Sequence, residues 1–277
     1  MTIKQLLFFL LLSFIHGFSI ADSLVFAVHP YLPALELQKR FAPLVEHLST
    51  TQGHDVTLKI SPSYEEHLNR IVQGDVDIAY LGPASFLKAY QKQPALETLA
   101  KLEVNGSPFF HGKIFTRANS EIRQLSDLSG KSFAFGNKHS TMSHLVPRYV
   151  LEQQGIMNKL SSFNFLDGHN NVAIGVLIGK YDAGAIKEGV FNKYENQGLR
   201  LIQNTEAIPE HLFISTHRVS SKICAEIKNS LLKITRHSNG LKIIKSIKPS
   251  VTNLVSAKPG DYNNLKQIMQ KLNTLDY

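Results

Sequence analysis

The sequence predicts an α/β protein of two lobes, each a mostly parallel sheet flanked by helices, with a ligand cleft between the lobes. Strand and helix patterns alternate along the chain, the alternation restarts near residue 113, and no long linker separates the two blocks. The 277 residues suffice for two ordinary domains. We assign residues 22–113 with 211–277 to lobe 1 and residues 114–210 to lobe 2. Clefts between lobes are preferred ligand sites.

The first block contains βαβ units. Its strands are either continuous apolar runs or alternate in hydrophobicity, and its helices carry apolar residues at helical spacing and end at glycines. The predicted elements are a strand at 24–28, a helix over 37–48 ended by Gly53, a strand at 56–60, a short helix ended by Gly74 and a strand at 76–81.

The second block repeats this alternation and ends in an amphipathic helix. The predicted elements are extended chain at 113–116, a turn at 126–130, a strand at 131–135, helices over 144–154 and 172–178, strands at 182–186, 199–203 and 212–216, and a helix over 223–234.

The N-terminus and the charge balance narrow the function classes. Lys4 followed by an apolar run at 6–15 predicts a secretory signal peptide over residues 1–21, with an uncleaved anchor as the alternative. The mature chain is therefore expected to be soluble and exported. A net charge of +8 admits nucleic acid, an anionic membrane or a small anion as partner, but scattered basic residues and export disfavour nucleic acid. The single cysteine, Cys224, excludes an intrachain disulfide.

The strongest candidate for a ligand site is the polar loop at 136–143, between a strand and a helix. Pro147 lacks an N–H and is tolerated near a helix start, which places that start close to Ser143. The hydroxyls of Ser140 and Thr141 and the first amides of the helix would then form an anion site. The alternative is that Ser140 or Ser143 only caps the helix.

Three further residues are candidates because of their positions. His169 lies where a loop enters a helix and could donate to an anion, bind a metal or be a surface histidine. Tyr80 lies at the end of a strand, where ligands of parallel sheets bind. Tyr64 opens a helix, although a single tyrosine more often packs than binds.

Other classes of function have weaker support. The sequence lacks the G-x-G-x-x-G, H-E-x-x-H and G-x-S-x-G motifs, so an enzyme would need dispersed residues. A secreted hydrolase could use Ser140 or Ser143 with His169 and Asp182. A metal-binding protein could use His139, His144 and His169, but the first two are five residues apart across a junction of loop and helix.

Taken in order, these motifs resemble the phosphonate, phosphite and phosphate-binding family of periplasmic ABC-transporter substrate-binding proteins. The resemblance covers nearly the whole mature chain. The matching segments are 63–64, 74–83, 128–136, 140–147, 168–169 with 172–173, 182–185, 206–209 and 261–262. It implies a type II periplasmic binding protein without enzymatic activity, cofactor or metal. Such a protein, as a monomer, closes on a small oxyanion and delivers it to a permease in the inner membrane; a sensory ligand-binding module is the alternative role.

The resemblance also implies which residues hold the ligand. Carried over position by position, they are Ser140, Thr141, His169 and Tyr64, with Tyr80 near the cleft. Three positions depart from the family pattern: Met142 replaces a third hydroxyl, Ser143 replaces a glycine, and Phe109 or Phe110 stands where a tyrosine is expected. In relatives that bind an amine-bearing ligand an acidic residue holds the amine, and Glu188 is a possible counterpart.

Overall fold

The computed structural model describes residues 23–274, so the predicted signal peptide lies outside the described residues. The chain forms a six-stranded sheet, a five-stranded sheet and a two-stranded ribbon between them. The strands are β1 (Leu24–Val28), β2 (Val56–Ile60), β3 (Ile78–Leu81), β4 (Glu97–Val104), β5 (Phe109–Phe110), β6 (Gly112–Arg117), β7 (Ser132–Phe135), β8 (Ser162–Phe165), β9 (Ala183–Lys187), β10 (Leu199–Asn204), β11 (Ile208–Pro209), β12 (Leu212–Ser215) and β13 (Val251–Val255).

Helices flank both sheets. They are α1 (Ala34–Gln52), α2 (Tyr64–Gln73), α3 (Pro83–Lys92), α4 (Val146–Gln153), α5 (His169–Leu177), α6 (Glu188–Glu195), α7 (Ser221–Leu232), α8 (Gly240–Ile247) and α9 (Asn263–Lys271). Gly53 and Gly74 end α1 and α2 in the left-handed conformation, as their positions in the sequence predict. The described residues include no helix long and apolar enough to cross a membrane.

The six-stranded sheet has the order β13-β4-β12-β3-β1-β2. β1 pairs in parallel with β2 and β3, as the βαβ pattern predicts, whereas β12 pairs antiparallel with both β3 and β4. Leu212, the first residue of β12, pairs with Leu81, the last residue of β3. β12 therefore enters the sheet at the edge where β3 leaves it, because the chain returns there from the other sheet.

The five-stranded sheet has the order β10-β6-β9-β7-β8. β7, β8 and β9 are parallel, and β6 runs against β9 and β10. Apolar side chains pack on both faces of this sheet, for example Phe133 and Phe135 on one face and Phe115 and Val172 on the other. The α/β class is confirmed, with mixed strand directions in both sheets.

Two chain segments connect the sheets, and each contributes one strand of the ribbon. β5 precedes β6, β11 follows β10, and the two pair antiparallel with Ile208 opposite Phe110. Thr205 fixes this crossing on the side of the five-stranded sheet, since its hydroxyl oxygen accepts the N–H of Gly112 at 2.8 Å. The crossing points lie close to the predicted lobe boundaries, which remain a prediction.

Candidate functional site

A small cavity lies where the two sheets face each other. Its volume is about 20 Å³, little more than the space needed to hold a water molecule. The six-stranded sheet, α2, α3 and the ribbon contribute His29, Tyr31, Tyr64, Gly82, Ser85, Phe110 and His211. The five-stranded half contributes His139, Ser140, Thr141, Met142, His169 and Lys187. Five of these residues directly follow a strand or begin a helix, namely His29, Gly82, Tyr64, Thr141 and His169, and Lys187 ends a strand. Such positions are expected at the carboxyl edge of parallel strands.

The turn after β7 is a π-helical turn over Thr141–Leu145, not the first turn of the predicted α-helix. Its wider loop is closed by the N–H of Leu145, which donates to the Ser140 carbonyl at 3.0 Å. The Ser140 hydroxyl caps the turn by accepting the N–H of Ser143 at 3.2 Å. The amides of Thr141 and Met142 precede the first bond of the turn and have no partner within it. Turns of this type occur frequently at functional sites.

Thr141 connects the two halves of the molecule across the cavity. Its Oγ1 accepts the N–H of Ala84, in the first turn of α3, at 3.1 Å. Because that bond uses the oxygen as acceptor, the hydroxyl hydrogen is still available to donate. Ser85, in the same turn of α3, also lines the cavity. The start of α3 and the start of the π-helical turn therefore meet at one point.

Ser143 lies behind the residues that line the cavity and is not one of them. Its hydroxyl donates to the carbonyl of Ala185 in β9, and the side chain is fully buried. A Cβ at Gly136 would clash with Ser143, so the glycine makes room for it. Met142 does line the cavity, and its sulfur accepts a weak bond from the Thr205 hydroxyl at 3.7 Å.

His169 begins α5 and presents a neutral N–H donor. Its Nδ1 is 3.2 Å from the backbone N–H of Lys187. Since an amide can only donate, Nδ1 accepts and the ring proton resides on Nε2. Burial, and then the charge of Lys187, hold the pKa of His169 well below its usual value. The imidazole therefore stays uncharged and offers Nε2–H.

Lys187 supplies a cation that the sequence analysis did not identify. It is the last residue of β9, and its Nζ lies 5.3 Å from the centre of the Tyr31 ring in the other half. Burial, and then repulsion by Lys248, lower the pKa of Lys187 to about 8, so it remains mostly protonated at neutral pH. Its position directly after the buried strand AGAI is the signal that could have identified it.

The wall from the six-stranded half is aromatic. The rings of His29, Tyr80 and His211 stack on one another at centroid distances of 5.6–5.7 Å. Tyr80 lies beneath His29 and His211 and does not itself line the cavity. Burial keeps the pKa of His29 well below its usual value. His29 follows β1 directly, a position the sequence analysis passed over.

The carboxylate nearest this wall is already engaged. Glu210 is almost fully buried and accepts from Nδ1 of His211 at 2.9 Å, and its other oxygen lies 3.4 Å from Nζ of Lys248. Burial alone would raise the pKa of Glu210, but the hydrogen bonds from His211, together with the charge of Lys248, outweigh it and bring the pKa to about 2. Glu188 is also outside the cavity lining, and its Oε1 accepts the N–H of His111 at 3.3 Å.

The structure does not assemble the hydrolase or metal alternatives. Asp182 directly precedes β9, so it lies at the opposite end of that strand from Lys187. Its carboxylate accepts the N–H and the hydroxyl of Ser132. Nδ1 of His169, which an orienting carboxylate would need, is occupied by an amide. His144 directs Nδ1 to the carbonyl of Lys138. Among residues 23–274, no group of three or more His, Cys, Asp or Glu side chains could hold a metal ion.

Most of the chain matches a family of known proteins. The family model described as "ABC transporter, phosphonate, periplasmic substrate-binding protein" matches residues 26–262. The chain belongs to this family. Its members are the periplasmic substrate-binding components of ABC transporters, so the resemblance stated from the motifs is confirmed.

Individual relatives agree with the family assignment. A probable ABC transporter phosphite-binding protein of Prochlorococcus marinus is 24% identical over 86% of each chain. A phosphate-import protein of Mycolicibacterium smegmatis is 24% identical over 59% of this chain and 54% of its own length, so the chain matches about half of that protein. The solved Prochlorococcus protein in complex with methylphosphonate superimposes with a TM-score of 0.82 at 21% identity, covering 92% of this chain and 99% of that one. The fold is thus that of type II periplasmic binding proteins, as predicted.

Proposed function

We propose that this chain captures a small tetrahedral phosphorus oxyanion, such as a phosphonate, phosphite or phosphate, in the periplasm and delivers it to an ABC permease of the inner membrane. In this proposal it works as a monomeric binding protein and not as an enzyme. One observation carries the proposal: hydrogen-bond donors from both halves surround one small cavity, and none of the described residues lining it is acidic. The contributing donors are Tyr64, Ser140, Thr141, His169 and Lys187.

The donors suit an oxyanion in number and direction. The starts of the π-helical turn, of α3 and of α5 all border the cavity, and helix starts favour anions through their free amides and dipoles. Lys187 adds a full positive charge, and bonds from charged donors are the stronger ones. We infer that Tyr64, Ser140, Thr141, Met142 and His169 contact the ligand, while Tyr80, Ser143 and Glu188 support them from behind.

Binding is coupled to closure of the two lobes. We take the lobes as residues 22–113 with 211–277, and 114–210, hinged at the β5–β11 ribbon. The bond between Thr141 and Ala84 and the contact of Lys187 with Tyr31 both join the two halves beside the cavity. A ligand that bonds to both walls favours the closed arrangement by its higher affinity for it. A permease can then recognise the closed form.

Calorimetry tests the binding step. Protein unfolded and refolded to remove carried-over ligand is titrated with phosphate, phosphite and methylphosphonate, and with sulfate as the control anion. We expect a sub-millimolar dissociation constant for at least one phosphorus anion. Absence of heat with all three, together with no phosphorus anion released from natively purified protein, would refute the proposed function.

Uptake by cells tests the delivery step. Cells that lack the gene are expected to lose high-affinity uptake of the anion identified by calorimetry and to regain it with the restored gene. Binding in vitro with unchanged uptake would favour the sensory role over transport.

A further inference from the structure

The chemistry of the cavity wall limits the ligand more narrowly than the proposed function does. Lys187 lines the cavity, and within residues 23–274 no ion pair joins its ammonium to a carboxylate. The Tyr31 ring lies 5.3 Å from it, and Tyr31 is an uncharged neighbour at neutral pH. A buried charge without a counter-ion is unfavourable, so a ligand that supplies negative charge gains by pairing with it.

No acidic side chain of the described residues lines the cavity, and the two nearby carboxylates have partners outside it. Glu210 is held by His211 and Lys248, at 2.9 and 3.4 Å. Glu188 accepts the backbone N–H of His111 and faces the ribbon. A second lysine, Lys88, is buried in α3 with its Nζ 3.4 Å from Nδ1 of His139, which lines the same cavity. The nearby charges are therefore mostly positive.

We propose that Lys187 is a specificity-determining residue that selects small anions without an ammonium group and rejects phosphonates that carry an amine close to the phosphorus. This inference rests on the proposed function. A ligand ammonium would lie in a small, largely buried space beside the Lys187 ammonium, where none of the described lining residues is a carboxylate. Like charges brought together at an interface strongly disfavour binding.

The test compares two ligands of equal size that differ in charge. Ethylphosphonate and aminomethylphosphonate have the same number of heavy atoms, but the second replaces a methyl group by an ammonium. Calorimetry at pH 7 should give the unmodified protein at least tenfold higher affinity for ethylphosphonate. Methylphosphonate is measured alongside as the smallest member of the series.

Variants at Lys187 separate charge from shape. Lys187→Met keeps the length of the side chain and is expected to weaken methylphosphonate binding about tenfold and to bring the ethyl-to-aminomethyl ratio close to one. Lys187→Glu should invert that ratio. Lys193→Met removes an exposed lysine from the same half and should change neither value. Circular dichroism and thermal melting confirm that each variant is folded, and Lys187→Met decides the question if Lys187→Glu does not fold.

The outcomes distinguish this inference from the proposed function. An unmodified protein that binds methylphosphonate but binds the two larger ligands equally, or a Lys187→Met variant with unchanged methylphosphonate affinity and an unchanged ratio, overturns the role of Lys187 alone. An unmodified protein that binds no phosphorus anion overturns the proposed function itself.

Discussion

The two walls of the cavity differ in chemistry. The wall from the five-stranded half carries hydroxyls, an N–H of His169 and the ammonium of Lys187, all on chain segments that leave a strand or begin a helix. The wall from the six-stranded half is built of stacked aromatic rings, with His29 and His211 kept uncharged by burial. The wall from the five-stranded half, which we call the polar wall, therefore attracts an anion. The wall from the six-stranded half, which we call the aromatic wall, excludes water around it.

This difference suggests an order of events. The polar wall holds most of the groups that recognise charge, so an oxyanion is expected to bind there first. Closure is then expected to bring the aromatic wall over it, and hydrogen bonds gain strength where water is excluded. Changes in the polar wall should mainly alter affinity, whereas changes behind either wall should mainly alter stability.

Removal of the His169 donor should have the largest effect. His169→Leu takes away the Nε2–H that we assign to the ligand, and a bond to a charged group contributes about 1.5–3 kcal/mol, so affinity should fall roughly 10- to 100-fold. His169→Gln keeps an N–H donor and should recover part of the loss. Calorimetry with the anion bound most tightly provides the measurement.

An exposed histidine provides the matched control for this prediction. His217→Leu alters a surface ring of the six-stranded half and should leave the dissociation constant unchanged. If the dissociation constant of His169→Leu stayed within twofold of that of the unmodified protein, the prediction that His169 donates to the ligand would be contradicted.

Two serines of the same turn test the distinction between wall and support. Ser143→Ala leaves the buried carbonyl of Ala185 without its donor and should cost about 1–3 kcal/mol of unfolding free energy, with little change in affinity. Ser140→Ala removes a cap and a cavity hydroxyl, so it should weaken binding as well as stability. Urea unfolding and calorimetry on both variants separate the effects, and equal losses of affinity would contradict the assignment.

How much of this site could be predicted from the sequence depends on whether a residue follows the carboxyl end of a predicted strand or is brought to that edge by a strand of opposite direction. The loop at Ser140 was predictable because an apolar strand, polar residues and Pro147 mark a helix start whatever the rest of the fold. His29 and Lys187 also follow predicted strands, so the rule that ligands bind at carboxyl edges could have identified them. Neither residue was predicted, because the candidate sites were chosen from motifs rich in hydroxyls and glycine.

Other features could not be predicted from local sequence. His211 reaches the cavity only because β12 enters its sheet antiparallel to β3, which depends on the chain crossing between the sheets. Ser143, within the π-helical turn, is held by the carbonyl of Ala185 in β9, a contact between residues 42 positions apart that the local sequence does not show. Glu188 directly follows Lys187, yet its carboxylate accepts the N–H of His111 beside the ribbon. Only the three-dimensional arrangement of β9 and β6 decides which of the two lines the cavity.

Acidification should destabilise the support behind both walls. Burial lowers the pKa of His67 to about 3 and that of His144 to about 4, against about 6.5 in an unfolded chain. Between pH 6.5 and 4 the unfolded chain binds protons that the native protein does not, so stability falls as the pH falls. Nε2 of each ring is buried without a hydrogen-bond partner among the described residues, so a proton there has no acceptor.

Urea unfolding at pH 7 and pH 5 measures this loss. Each histidine should contribute about 1–2 kcal/mol to the difference between the two pH values. His67→Gln, behind the aromatic wall, and His144→Gln, behind the polar wall, should each reduce it by that amount. The exposed His217→Gln should leave it unchanged. An unaltered pH dependence in both buried variants would contradict the assignment of these rings.

The hydrogen bond that joins the walls should make the smallest contribution. Thr141→Val keeps the shape of the side chain but removes the oxygen that accepts the N–H of Ala84. The lost neutral hydrogen bond contributes about 0.5–1.5 kcal/mol, so closure should be weakened two- to tenfold. The variant also lacks the hydroxyl that we assign to the ligand, so affinity should fall further than the loss of this bond alone requires. Because the bond forms only when the walls meet, the loss should appear mainly as faster ligand release. Stopped-flow measurements give both rate constants. The control is Thr116→Val, which alters a buried threonine within the five-stranded sheet and leaves the contact between the walls intact. A slower association rate with unchanged release would mean that Thr141 acts in the polar wall alone and that the two walls close without its help.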